Sequence, residues 1–185
     1  MHGLITLLDE QHDCEVKALW REMESACGLG LLVKRVPFPH FSWLVCEDYD
    51  DDLALAAMNR IAAQAKPFVV QTAGLGVFTG EHPVLYASVT RTAELSALHE
   101  LIWREMRPAL TKATAYYEPP NWMPHITLAQ GDLTPDTLAC AMRLLMGRNL
   151  YWQFRADTLV WAHDTGRDQT THELRRKVVI VGSES

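Results

Sequence analysis

Two short segments of the sequence carry the residue types best suited to acid–base chemistry. Residues 40–43 read His-Phe-Ser-Trp, residues 125–128 read His-Ile-Thr-Leu, and a proline precedes the histidine in both. Both segments are predicted strands, in which side chains alternate between the two faces, so each histidine shares a face with the hydroxyl two residues later. We expect the apolar residues to pack on helices and the polar residues to face an open cleft.

Two imidazoles and two hydroxyls around one point suit displacement at phosphorus. That reaction needs a base at the attacking oxygen and an acid at the leaving oxygen, on opposite sides. An ordinary imidazole titrates at about pH 6.5, so one of a pair can be neutral while the other is charged. The hydroxyls can donate hydrogen bonds to the oxygens on which charge develops. The predicted catalytic residues are therefore His40, Ser42, His125 and Thr127, and the chemistry requires no metal ion or cofactor.

Three aromatic residues and two basic clusters could assist in binding a substrate. Tyr86 is predicted on a strand from which it could reach a phosphate group. Trp122 or Tyr117 could stack on a base, although packing within the core or a loop is the commoner role for such residues. One basic pair, at 34–35, and one basic triplet, at 175–177, could supply positive charge to a cleft. They could instead protect a solvated edge strand from pairing with another chain.

Hydrophobic spacing and turn residues predict an α+β order of elements. Helices are predicted at 9–27, 51–65, 92–113 and 134–147. Strands are predicted at 1–8, 31–46, 67–78, 84–90, 123–130, 151–162 and 173–181. The polar stretch 163–172 is predicted to be a hairpin loop, with a lid over the cleft as the alternative.

The similarity between the two parts of the chain extends beyond the two histidine segments. Each segment is preceded by a helix and followed by a helix and strands, with 35 residues from His40 to Leu75 and 34 from His125 to Leu159. A repeat of this size predicts a single domain of two lobes, at about 1–90 and about 91–185. Each lobe would have an antiparallel sheet with helices outside it, and a pseudo-twofold axis would leave a central cleft.

Composition limits the classes of partner and the location. The net charge of −6 argues against binding of long duplex nucleic acid but allows a small basic cleft for a nucleotide or an RNA terminus. No apolar run is long enough for a membrane span, and residues 1–5 do not resemble a signal peptide. We expect a cytoplasmic monomer.

The remaining histidines and the cysteines show no metal-binding spacing. The cysteines at 14, 27, 46 and 140 form no C-x-x-C pair, so we expect reduced thiols that are mostly buried. The histidines at 2, 12, 82, 99, 163 and 172 are interpreted as surface or loop residues.

The paired segments resemble the signature of the two-histidine phosphoesterase superfamily, which includes 2′,5′ RNA ligase-like proteins and cyclic nucleotide phosphodiesterases. The signature is two copies of His-apolar-[Ser/Thr]-apolar, and the first copy is less typical in having Ser42 and a bulky Trp43. The order of elements over nearly the whole chain is similar to that family's bilobal fold. The resemblance implies a catalytic set of His40, Ser42, His125 and Thr127. It implies opening of a 2′,3′-cyclic phosphate, cleavage of a 2′,5′ linkage or the reverse ligation, which the motif does not distinguish.

Two other functions fit the same sequence. One is a non-catalytic module of the same fold that binds a nucleotide or an RNA end. The presence of both histidines and both hydroxyls favours the enzyme over this module. The other is a protein-interaction scaffold, for which the two polar faces would not lie together in space.

Overall fold

The computed structural model describes residues 1–166 and 172–181, which form the predicted α+β fold. The strands are His2–Leu7 (β1), His40–Tyr49 (β2), Phe68–Phe78 (β3), Val84–Val89 (β4), Leu110–Ala113 (β5), His125–Gln130 (β6), Gln153–Ala156 (β7), Thr158–Asp164 (β8) and His172–Val179 (β9). The helices are Glu10–Cys27 (α1), Leu31–Arg35 (α2), Asp51–Gln64 (α3), Ala93–Met106 (α4) and Pro135–Leu145 (α5). The predicted loop at 163–172 and the chain end lie partly outside the described residues.

Capping residues explain why several helices begin and end close to their predicted bounds. The side chains of Asp9, Asp50 and Thr134 each accept a hydrogen bond from a backbone amide in the first turn of α1, α3 and α5. Helix α1 ends at Gly28, whose φ of 74° is a left-handed conformation that glycine adopts without strain.

Three predicted elements have different bounds in the structure. The predicted helix at 92–113 ends at Met106, because Pro108 cannot continue a helical hydrogen-bond ladder, and residues 110–113 form β5 instead. The predicted strand at 31–46 begins with the short helix α2 and becomes extended only at His40. The predicted strand at 151–162 is divided at Asp157 into β7 and β8.

All the strands are antiparallel and connect in the order β7-β3-β4-β6-β2-β1-β8-β9, with β5 also paired to β2. They form one continuous path rather than two separate sheets. We call β2, β1, β8 and β9 the His40 half and β6, β4, β3 and β7 the His125 half. Each half contains strands from both sides of residue 90, and the predicted division into lobes at that residue stays a prediction.

The two faces of the sheet differ as the sequence predicts. Phe41, Trp43, Ile126 and Leu128 are at most 1% exposed and belong to the main core, which they share with the helices. The opposite face, which we call the motif face, carries the histidines and hydroxyls of the two segments, all of them only partly buried.

The cysteine prediction is wrong for most of the thiols. Cys27 at the end of α1 and Cys140 in α5 form a disulfide, and Cys14 is exposed. Only Cys46 is a buried free thiol. The predicted cytoplasmic location therefore loses part of its basis and stays a prediction. Among residues 1–166 and 172–181, no helix is long and apolar enough to cross a membrane.

Candidate active site

The two motif strands meet at one pair of residues, Phe41 opposite Ile126. Continuing this antiparallel register places His40 opposite Thr127 and Ser42 opposite His125. Residues directly opposite each other share a face, so the four polar side chains lie together. The imidazoles occupy a diagonal of this group, and His125 is close enough to His40 to help lower its pKa. The structure therefore brings together the four residues that the sequence predicts to be catalytic.

Both imidazoles are oriented by the same backbone contact. Nδ1 of His40 lies 2.9 Å from the carbonyl oxygen of Phe38, and Nδ1 of His125 lies 2.7 Å from that of Met123. A carbonyl oxygen only accepts, so each Nδ1 carries the hydrogen and donates it. In a neutral ring this leaves the lone pair on Nε2, the nitrogen that a general base needs.

The prolines before the histidines explain this shared geometry. A residue before proline is restricted to extended conformations, which applies to Phe38 and Met123. The carbonyls of Pro39 and Pro124 accept hydrogen bonds from the amides of Leu8 and Val89, at 3.4 and 3.1 Å. Proline has no amide hydrogen to donate to the partner strand. The backbone hydrogen bonding of the two motif segments with β1 and β4 therefore ends beside the histidines.

Burial holds both histidines in the neutral form in the free protein. Burial lowers the pKa of His40 to about 4; the bond to Phe38 opposes this shift, and the nearby His125 and His172 add to it. Burial also lowers the pKa of His125, against the opposing effect of the bond to the Met123 carbonyl. A bound phosphate would favour the charged form of either ring, because an opposite charge raises an imidazole pKa.

Aromatic residues surround His125. The rings of Phe78 and Tyr86 lie 5.0 and 5.1 Å from that of His125, and 4.3 Å from each other. Tyr86 is paired with Thr127 on one side and with Gly76 on the other. A Cβ atom at Gly76 would lie 2.4 to 2.5 Å from atoms of the Tyr86 ring, so this ring position requires glycine. Tyr86 thus lies beside Thr127 and His125, and its contact with a phosphate group stays a prediction.

Aliphatic residues take the corresponding positions in the His40 half. Leu7 is opposite His40 and Ile5 is opposite Ser42. Val160 is opposite Ile5, and Lys177 is opposite Val160. An aromatic ring is also present on this side, that of Phe38, 5.7 Å from the ring of His40. Lys177 is the member of the predicted basic clusters that this register places on the motif face.

Tyr117 and Trp122 both lie close to Ser42. Burial raises the pKa of Tyr117 and the nearby Ser42 lowers it, and stacking of Tyr117 on a base stays a prediction. Trp122 is 1% exposed, so the prediction that it could stack on a base is wrong. Its Nε1 donates instead to the carbonyl oxygen of Ser42, 2.9 Å away.

The surface interpretation of the other histidines fails at two positions. His99 is fully buried in α4, and His12 is buried in α1 beside Asp9. The spacing of α4 contains a signal for His99, because Leu95, His99 and Ile102 recur on one helical face. Within residues 1–166 and 172–181, no three His, Cys, Asp or Glu side chains are grouped so as to hold a metal ion.

Comparisons with known proteins extend over nearly the whole chain. The model of the 2′-5′ RNA ligase superfamily matches residues 12–168. No curated protein has a sequence that matches this chain. Among solved structures, protein TT0787 of Thermus thermophilus has a TM-score of 0.70 at 16% identity, with 99% of each chain covered. LigT of E. coli in complex with 3′-AMP has a TM-score of 0.62 at 11% identity, with 98% of each chain covered. A crystal structure described as a phosphoesterase has a TM-score of 0.61 at 12% identity, again with 98% of each chain covered.

Proposed function

Because the chain belongs to the 2′-5′ RNA ligase superfamily, we propose that it is a metal-independent phosphodiesterase. Its substrates are 2′,3′-cyclic phosphates or 2′,5′-linked nucleotides and RNA ends. The observation that carries this proposal is the shared face of His40, Ser42, His125 and Thr127 around the pair Phe41 and Ile126. A structural scaffold would not need two imidazoles with free Nε2 atoms on one side of a sheet.

The reaction on a 2′,3′-cyclic phosphate follows from this arrangement. Nε2 of one neutral histidine takes a proton from water, and the water oxygen forms a bond to phosphorus. The bond from phosphorus to the 3′ oxygen breaks, and the second, protonated histidine gives its proton to that oxygen. The product is a 2′-phosphate. Ser42 and Thr127 donate hydrogen bonds to the non-bridging oxygens, where negative charge increases in the transition state.

The surroundings of the two histidines favour different roles for them. His40 has the pKa of about 4, lowered by burial and by two neighbouring histidines, so it is neutral and fits the general base. Burial also lowers the pKa of His125, and a bound phosphate opposes that shift and can restore its proton. His125 therefore fits the general acid in the hydrolytic direction, and the roles exchange in the reverse ligation.

A nucleotide-binding module without turnover is the second candidate. The crystal structures of E. coli LigT with ATP and with 3′-AMP favour it, because proteins of this fold hold nucleotides that contain no cyclic phosphate. In such a module the same face would bind a phosphate group, and substitution of a histidine would change affinity rather than a rate.

The test is an assay of the purified protein, with a chelator present, on nucleoside 2′,3′-cyclic phosphates and 2′,5′-linked dinucleotides. We expect turnover by the wild type and a loss of about 10²–10⁴-fold in kcat for His40→Ala and for His125→Ala. His82→Ala is the matched control, since His82 is exposed in the turn between β3 and β4. Binding of 3′-AMP without turnover of any substrate would support the binding module instead.

A further inference from the structure

The segment that leads into His125 also holds the strand of His40. This segment, residues 114–124, runs from the end of β5 to the start of β6. From it, Tyr117 approaches Ser42 closely enough for Ser42 to lower its pKa, and Nε1 of Trp122 donates to the carbonyl oxygen of Ser42 at 2.9 Å. The backbone of Ser42 is therefore held by a residue of the segment that leads into the other motif.

His99 extends this contact from helix α4. It is 0% exposed, and its Nε2 lies 2.9 Å from the carbonyl oxygen of Trp43, the residue after Ser42. Its ring lies parallel to that of Trp122, with 3.9 Å between the centroids and 4° between the planes. Because a carbonyl oxygen only accepts, Nε2 of His99 carries a hydrogen and donates it. We call His99 and Trp122 the wedge.

The wedge lies where the two motif strands separate. β2 and β6 are paired only at Phe41 and Ile126. Beyond that pair, the carbonyls of Ser42 and Trp43 are bonded to the wedge, and the carbonyl of Val45 accepts from the amide of Thr114. An unpaired buried carbonyl would be costly, so the wedge replaces the missing ladder and fills the space between the strands.

Arg91 anchors the wedge from the side of β4. Its guanidinium group donates to the carbonyl oxygens of Trp122 at 3.0 Å and Pro119 at 2.6 Å. The same group lies 5.8 Å from the centre of the Trp122 ring. The wedge is thus connected to β2 through the carbonyls of Ser42 and Trp43, and to the end of β4 through Arg91.

We propose that His99 and Trp122 are positioning residues, which set the separation and relative orientation of His40 and His125 by tying β2 to the segment that leads into β6. Neither side chain reaches the motif face, so neither touches the substrate. The inference rests on the proposed function for its effect on rate. Its effect on the geometry of the two imidazoles can be measured without turnover.

The first test compares His99→Leu, which keeps the bulk but loses the N–H donor, with His99→Gln, which retains a donor. A displacement of catalytic groups by about 1 Å can cost about 10²-fold in rate, so we expect kcat to fall about 10- to 100-fold in His99→Leu with KM little changed. His99→Gln should recover most of the loss. Leu145→Ala, at a buried position in α5, is the control that lowers the melting temperature without lowering kcat.

The second test follows the titration of His40 by NMR. The nearby His125 is one cause of the lowered pKa of His40, so movement of the rings apart should raise this pKa in His99→Leu and restore it in His99→Gln. A shift of this kind in a protein without turnover would support the wedge while the proposed function fails. Unchanged titration together with a kcat equal to that of the wild type would overturn the inference.

Trp122→Phe provides the same readouts should His99→Leu fail to fold. It keeps an aromatic ring against His99 and removes the N–H that donates to Ser42, together with part of the bulk of the indole. We expect a smaller fall in kcat in the same direction, with a raised pKa of His40. A Trp122→Phe protein with wild-type kcat and wild-type titration would contradict the role of this hydrogen bond.

Discussion

The two halves of the motif face share one backbone arrangement and differ in the side chains around it. Each histidine bonds through Nδ1 to a carbonyl two residues earlier. His125 then meets the rings of Phe78 and Tyr86, whereas His40 lies beside Leu7 and Ile5. The Pro-His sequence therefore determines that Nε2 keeps the lone pair, whereas the neighbouring strands determine which side chains lie beside each histidine. We call Phe78 and Tyr86 the aromatic wall, and Ile5 and Leu7 the aliphatic wall.

The difference also extends to charge. Burial and the neighbouring His125 and His172 lower the pKa of His40 to about 4, and burial also lowers that of His125, against the bond to Met123. Two similar backbone sites can therefore hold a base and an acid without different residue types.

Among changes that leave both motif histidines in place, removal of either hydroxyl should have the largest effect. Loss of one donor to a developing negative charge costs about 10²–10³-fold in kcat, so we expect this for Ser42→Ala and for Thr127→Ala. The exchange variants Ser42→Thr and Thr127→Ser should retain most of the activity because the donor is kept. Steady-state kinetics on a cyclic phosphate would show it, and a hydroxyl whose removal left kcat unchanged would have no part in the chemistry.

Gly76→Ala should affect only the aromatic wall. The added methyl group would overlap the Tyr86 ring and displace it from Thr127 and His125. We expect a loss of about 10- to 100-fold in kcat/KM, as for other small displacements in an active site. Val160→Ala, at the corresponding place in the His40 half, removes bulk without a clash and should cost less. Equal losses in the two variants would show that the walls act alike.

The pH dependence of kcat/KM should reflect the two histidines of the free protein. Activity should rise with pH as His40 loses its proton at about 4, and fall again as His125 loses its proton below the ordinary value of about 6.5. The maximum therefore lies on the acidic side of about 6.5, and the apparent values belong to the pair. The maximum for kcat should lie at higher pH, because a bound phosphate raises the pKa of both histidines. A kcat/KM maximum above neutrality would contradict the assignment.

The smallest effect concerns stability in acid. Burial lowers the pKa of His99 to about 4, so the unfolded chain binds a proton more readily than the folded protein below about pH 6.5. Above about pH 6.5 the neutral ring makes its full contribution to the free energy of unfolding. This contribution decreases as the pH falls through about 4, by up to about 3 kcal/mol in all. Urea unfolding at several pH values should show a shallower loss for His99→Gln than for the wild type. Parallel curves would contradict a lowered pKa at this position.

Local sequence was sufficient to predict the parts of the site that depend on local geometry. Alternation along each strand correctly placed His40 and Ser42 on one face and Phe41 and Trp43 on the other. The pairing of Phe41 with Ile126 could not be read in this way, because the register between strands 85 residues apart depends on the packing of the whole sheet.

Residues that act through long-range packing were also missed. The sequence around residue 122 gives no sign that Trp122 packs against His99, because His99 lies in another element. The pairing of Cys27 with Cys140 spans 113 residues and has no local pattern. Each half of the sheet also contains strands from both sides of residue 90, and this arrangement follows from tertiary pairing and not from chain order.

The disulfide has a consequence for how the protein responds to a protease. Cys27 precedes His40 and Cys140 follows His125, so the crosslink closes a loop of the chain that contains both motifs. A single cut within that loop, for instance at the highly exposed Tyr116, would leave two fragments that are still one covalent molecule. Such a nicked protein would migrate as intact on a gel without reductant and separate into two bands once reductant is added, each band carrying one of the histidines.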